Sequence, residues 1–279
     1  MKGRVLFLLG GLVGTAGSPL AAQRVRLEGG LSLASGSYVF EPRTTTWALA
    51  TGLALESGRL TVRASLPLYL QNTSLVSGSG IGRIPTGGSS SHAVDQDGRG
   101  RGSHGSHTPV EVPGSAVTGY EAAVGDPVIG LGWRVLNAPR TLVTLGAAIK
   151  APVADTSTFG TGEWDAGARV SASRFLGRRG FVGVDLAYWR LGDMQDLDLR
   201  DPVSGMLTLG YFGEGGWGGS VVGSAATSVV EGFDGPVSVG AALTRVASGT
   251  SWSLLALAGV TETAADLAVG LSWSLRLSH

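Results

Sequence analysis

The 279-residue chain contains no cysteine, which excludes a disulfide framework and any thiolate metal centre. Charge is scarce as well: Asp, Glu, Lys and Arg make up 15% of the residues, against roughly 25% in a typical soluble domain. The 21 basic residues balance the 21 acidic ones, so no basic excess exists to hold nucleic acid. Beyond the N-terminus no apolar run reaches the roughly 18 residues that read as a membrane-spanning helix. A chain this poor in charge, with no spanning helix, has to satisfy its apolar side chains by another architecture.

What is present begins with export. MKGRVLFLLGGLVGTAGSPLAAQ places Lys2 and Arg4 before an apolar stretch from Val5 to about Val13, and small residues follow up to Ala21 and Ala22. That is the layout of a secretory signal peptide, so residues 1–22 are expected to be removed and 23–279 to form the mature domain.

From there a two-residue period recurs in about twelve segments of roughly ten residues each. In DLAVGLSWSLRLSH, Leu267, Val269, Leu271, Trp273, Leu275 and Leu277 alternate with small or polar residues. In RVRLEGGLSLASG, Val25, Leu27, Leu31 and Leu33 share one face, and in TTTWALATGLALESG, Trp47, Leu49, Leu53 and Leu55 do. In VGDPVIGLGWRVL the apolar set is Ile129, Leu131, Trp133 and Val135. The connections alternate too. SGR, NAPR, GRRG and ASGT are tight turns, whereas residues 37–43, 73–117, 151–163, 192–202 and 227–235 are long. An even strand number with short turns at one end and long loops at the other is the pattern of an outer-membrane barrel with both termini in the periplasm. The fold class is therefore all-β: a transmembrane antiparallel up-and-down β-barrel of about twelve strands, its last strand pairing with its first, with 73–117 as a long external loop.

Charge placement separates this from a soluble sandwich. Arg26, Glu28, Arg63, Asp126, Arg134, Lys150, Asp165, Arg169, Asp185 and Arg276 fall on the parity opposite the Leu/Val face. Arg174, Arg190 and Arg245 break the rule near strand ends. An Arg or Lys facing lipid costs about 2–4 kcal/mol at the bilayer midplane and about 0–1 near the interface, so rule and exceptions have one cause. Trp47, Trp133, Trp164, Trp252 and Trp273 take the apolar parity, as an interfacial girdle requires; Trp189 does not. The expected lumen lining is Arg63, Asp126, Arg134, Lys150, Asp165, Arg169 and Asp185, with Lys150, Asp165, Arg169 and Asp185 as a ladder of opposite charges.

Other chemistry finds little footing. His104 and His107 have a spacing open to metal binding, and Asp95, Asp97 and Gly98 mimic the start of a calcium loop. No distal carboxylate completes it, and the low-complexity surroundings, which also hold His92, read as a flexible external loop. His279 is the one histidine outside that loop, no GxSxG elbow occurs, and no enzymatic role, metal or cofactor is expected.

Two stretches carry a family resemblance. VGDPVIGLGWRVL, with Gly125, Asp126 and Pro127 opening a strand, and IKAPVADTSTFGTGEWDAGARVSASRFLG, with Lys150 ending one strand and Asp165 starting the next, resemble the outer-membrane family named for the MetA pathway of phenol degradation. That family is distantly like the FadL-type transporters of hydrophobic compounds. The resemblance, over roughly residues 120–190, implies passive uptake of small hydrophobic or aromatic solutes across the cell outer membrane. The partners expected are outer-membrane lipid, the solute and the barrel-assembly machinery, not nucleic acid. The alternative is a structural or surface-interaction barrel with a charge-plugged lumen. FadL-type proteins carry an N-terminal plug; here the first strand starts at about Val25, so a release mechanism built on that plug is not carried over.

Overall fold

A computed structural model describes residues 23–87, 119–194 and 197–277. The signal segment, His92, Asp95, Asp97, His104, His107 and His279 lie outside them. The strands are β1 (Arg24–Gly36), β2 (Thr44–Ser57), β3 (Leu60–Gln71), β4 (Val76–Ser79), β5 (Gly82–Pro85), β6 (Glu121–Val124), β7 (Val128–Ala138) and β8 (Thr141–Lys150). They continue with β9 (Asp165–Leu176), β10 (Gly180–Arg190), β11 (Val203–Phe212), β12 (Trp217–Ala226), β13 (Val237–Ala247), β14 (Thr250–Gly259) and β15 (Leu267–Arg276).

Thirteen of these strands join into one antiparallel sheet that closes on itself. β6 pairs with the Leu68–Gln71 end of β3 and β7 with its Leu60–Ser65 end, so β6 and β7 are one wall strand in two pieces and the barrel has twelve. The break falls at Gly125, Asp126 and Pro127. Pro127 has no N–H to give a ladder, and a side chain at Gly125 would run into the Tyr69 ring at 2.3 Å. β1 and β15 seal the barrel over ten residue pairs, from Arg26↔Arg276 to Ser35↔Leu267, and no wall edge is left unpaired.

The alternation follows from the two solvents this wall meets. Leu31, Leu49, Leu131, Leu186, Leu207 and Leu254 point outward and are exposed, which only hydrocarbon tolerates over so large a belt. Small residues face inward because the concave side has less room: Gly167 stands opposite Trp189 in the β9–β10 register, and a Cβ there would lie 2.7 Å from the indole. So Trp189, off the apolar parity, is an inward-facing ring. One position departs from strict alternation. A bulge between Arg134 and Leu136 in β7 inserts an extra residue, and Leu136 rather than Val135 becomes exposed beside Val143.

The short turns need glycine where φ is positive: Gly58 (55°) and Gly249 (81°) sit in the two-residue links of β2–β3 and β13–β14. The belt gives a direct test. Leu254→Arg, at mid-strand, should cost about 2–4 kcal/mol in lipid, whereas Leu267→Arg, at the loop-side rim, should cost about 0–1. Urea unfolding in vesicles measures both.

The one large cluster of buried apolar side chains among the described residues is not in the wall. Tyr38, Val39 and Phe40 from the β1–β2 loop, Leu75, Val76 and Ile84 around the β4–β5 hairpin, Leu191, Met194, Leu197 and Leu199, and Val229 and Val230 pack together at the long-loop end. They form a cap over the extracellular mouth. Phe40 and Leu75 are fully buried. Of the expected external loop 73–117, the described part, 73–87, packs into this cap. Tyr38 and Val39 hold positive φ of 51° and 73°, a strained conformation for non-glycine residues that their burial offsets.

Candidate solute pathway in the lumen

Inside the wall lies a cavity of about 970 Å³. Near the periplasmic turns its lining includes Glu56, Thr61 and Arg134; at mid-height Arg63, Arg169, Ser171 and Asp185; and below the cap Ile81, Arg83, Trp189, Val230 and Phe233. It therefore reaches from the short-turn end of the barrel to the underside of the apolar cap. Its charges are mostly neutralised by neighbouring strands. Arg63 Nε lies 3.3 Å from Glu28, Arg26 pairs with Glu56 at 3.1 Å, and Arg169 grips Asp185, which also accepts from the Ser171 hydroxyl. Arg134 donates to the Gly58 carbonyl at 2.6 Å.

Of the residues expected to line the lumen, Arg63, Arg134, Arg169 and Asp185 stand on this cavity. Asp126, Lys150 and Asp165 do not. They are nearly fully buried, with side-chain exposures of 4%, 2% and 1%, at the loop end of the wall. Lys150 Nζ lies 2.8 Å from Asp126 and 3.5 Å from Asp165 and donates to the Thr161 hydroxyl and the Glu163 carbonyl, each at 2.9 Å. Asp126 accepts from the backbone of Val153 and Ala154 at 2.8 and 2.7 Å. Asp165 accepts from Gly80 at 2.7 Å and Gly192 at 3.2 Å. The expected four-residue ladder is thus two separate groups: a buried Asp126–Lys150–Asp165 knot, and the Arg169–Asp185 pair on the cavity. Alternation placed these residues on the inner parity; it carries no information about depth. Depth is set by the loops folding over the strand ends.

The knot has a mechanical role. Through Gly80 it holds the tip of the β4–β5 hairpin, and through Gly192 the loop after β10. The hairpin is also pinned by Arg83, whose guanidinium stacks 4.5 Å from the Tyr69 ring centre and 5.7 Å from that of Phe159. Arg83 donates to the Val76 carbonyl at 3.2 Å, while its Nε and Nη1 are shielded without a hydrogen-bond partner. Burial pulls its pKa below the ordinary arginine value, with Tyr69 and Tyr38 opposing, and burial likewise raises the Tyr38 phenol, with Arg83 opposing.

A third inner-face feature escaped the sequence reading. Phe175, Phe181 and Phe212 cluster near the periplasmic turns, with ring centres 5.2–6.4 Å apart. Gly210 and Gly218 leave the space, since a Cβ at either would meet the Phe181 or Phe212 ring at 2.3 or 2.7 Å. The signal was available as phenylalanines on the small-residue parity close to strand ends.

The crystal structure of an outer-membrane channel from Pseudomonas putida F1 superposes with a TM-score of 0.62, at 12% identity, over 94% of this chain and 97% of that one. This chain shares that barrel fold. A monoaromatic hydrocarbon channel, CymD, matches with a TM-score of 0.47 at 11% identity, over 92% of this chain and 89% of that chain. The Pseudomonas putida toluene transporter TodX matches with a TM-score of 0.44 at 10% identity, over 92% and 90%. No protein-family model matches the sequence, and no relative is found among curated proteins. With a closed twelve-strand wall and an outward apolar belt, the chain is placed in the outer membrane.

Proposed function

We propose that the chain is a channel for passive passage of small hydrophobic or aromatic solutes, working without cofactor, energy coupling or enzymatic activity. The observation that carries this is the free lumen of about 970 Å³ beneath an apolar cap. A lumen plugged by its own charges, the alternative, would leave no such volume. The solute leaves the outer leaflet or water at the cap, which has to part to admit it because Phe40, Leu75 and Ile84 are packed against one another inside it. It then passes Ile81 and Trp189 into a lumen whose charges mostly hold one another, so an uncharged molecule displaces few strongly hydrated ions. Phe175, Phe181 and Phe212 offer a last aromatic surface near the periplasmic end. The barrel-assembly machinery and outer-membrane lipid complete the partners this reading requires.

The experiment is flux into vesicles with a lipopolysaccharide outer leaflet, comparing a small phenol with a sugar of similar size. The protein is expected to raise phenol entry severalfold, more than sugar entry, linearly with the gradient. Equal phenol entry with and without protein ends this reading.

A further inference from the structure

The outer wall near the periplasmic turns carries a feature that solute passage does not use. In the register of β12 to β15, Trp217 stands opposite Arg245, Arg245 opposite Trp252, and Trp252 opposite Trp273. All four share one face, the face on which Leu243, Leu254 and Leu271 are exposed. An arginine thus sits in a row of three tryptophans on the lipid side. Its guanidinium carbon lies 5.3 Å from the Trp217 ring centre, and the Trp217 and Trp252 rings meet edge to face at 5.1 Å.

The charge of Arg245 has no counter-charge: among the described residues no carboxylate pairs with it, and its Nη1 is shielded without a hydrogen-bond partner. A cation in that setting is costly until an anion reaches it. The turn before β12 closes over Nη1: Gly215 and Gly216 hold φ of 68° and 79° and pack so near that a Cβ on them would come 3.5 and 3.4 Å from it.

Two further observations say what the anion is attached to. Along the outer face of β12, Gly219 and Gly223 would meet nothing within 4 Å if given a Cβ. With Tyr211 and Leu243 opposite it on the neighbouring strands, Gly219 floors a short apolar trough bounded by Trp217 and by the exposed Val221, with Gly223 beyond. The rim itself is basic. Arg59, Arg140 and Arg178 occupy its turns, whereas the described carboxylates at this end, Glu28, Glu56 and Glu214, are each already held by another arginine, Arg63, Arg26 and Arg179.

We propose that Arg245, Trp217 and Trp252 form a binding site for an acidic glycerophospholipid of the periplasmic leaflet. The phosphodiester sits at the guanidinium and one acyl chain lies over Gly219. The surplus of rim arginines favours a headgroup with net negative charge over a zwitterion.

The test is native mass spectrometry of the detergent-purified full chain titrated with phosphatidylglycerol, phosphatidylethanolamine or diacylglycerol. It is independent of solute flux, so failure here and failure of the channel reading are distinguishable. The wild type is expected to retain phosphatidylglycerol in preference to both others. R245Q should lower that retention at least about fivefold, G219L should lower it by filling the trough, and R174Q, an outward arginine outside the tryptophan row, should leave it unchanged. A second measurement needs no variant: brominated phosphatidylglycerol should quench wild-type tryptophan fluorescence more than brominated diacylglycerol does. Equal retention by R245Q and wild type, or diacylglycerol performing as well as phosphatidylglycerol in both measurements, overturns the site.

Discussion

Lys150→Met is expected to destabilise the protein by roughly 3–5 kcal/mol, the cost of leaving buried charge without its partner. Lys150 is the one cation in contact with Asp126 and Asp165 among the described residues, and methionine keeps most of its volume while supplying no donor. The damage should also be specific in place. Asp165 would still face Gly80 and Gly192, but with its charge uncompensated, so the hairpin and the β10–β11 loop should loosen first. Urea unfolding should show the loss, and single-channel recording should show more frequent or larger openings. Neutralising all three, as Asp126→Asn, Lys150→Met and Asp165→Asn together, should cost less than Lys150→Met alone. If the triple variant is the worse of the two, the knot is held by shape and not by charge.

The second large effect belongs to the cap. Leu75 and Ile84 are 0% and 2% exposed, and placing a carboxylate at both, Leu75→Asp with Ile84→Asp, puts two unpaired acids in apolar surroundings, each costing several kcal/mol unless hydrated. The least costly escape is to swing the hairpin out into water. The wall pairings of β3 with β2, β6 and β7 do not involve it, so the barrel should keep its resistance to SDS while ion conductance rises severalfold. Unchanged conductance would mean that the cap does not close the mouth.

These two sites differ in how visible they were beforehand. The wall was legible because every strand residue must choose between hydrocarbon and a crowded interior, and that choice is written at a fixed two-residue spacing: Leu267, Val269 and Leu271 declare the outside of β15 before any partner is known. The seam of β1 with β15 followed from the same logic. The cap was not legible. Tyr38, Phe40, Leu75 and Val230 belong to different loops with no period, and each is explained only by the others. The knot lay between these cases. Asp126, Lys150 and Asp165 belong to the two stretches that carry the family resemblance, and their parity was correct. Their convergence depends on the strand break at Pro127 and on loops that reach back over β8 and β9, which alternation does not encode. The bulge at Leu136 was invisible for a related reason, since one extra residue changes parity without changing composition.

The seam has a consequence for biogenesis. Leu27 is hydrogen-bond neighbour to Leu275, so the contact that abolishes the sheet's last free edges joins residues from opposite ends of the chain. Closure of this kind has to wait for nearly all of the polypeptide, and until then the leucine-rich faces have neither lipid nor a partner strand to cover them. A holding chaperone during transit, and catalysed insertion on arrival, are therefore demands of the topology itself.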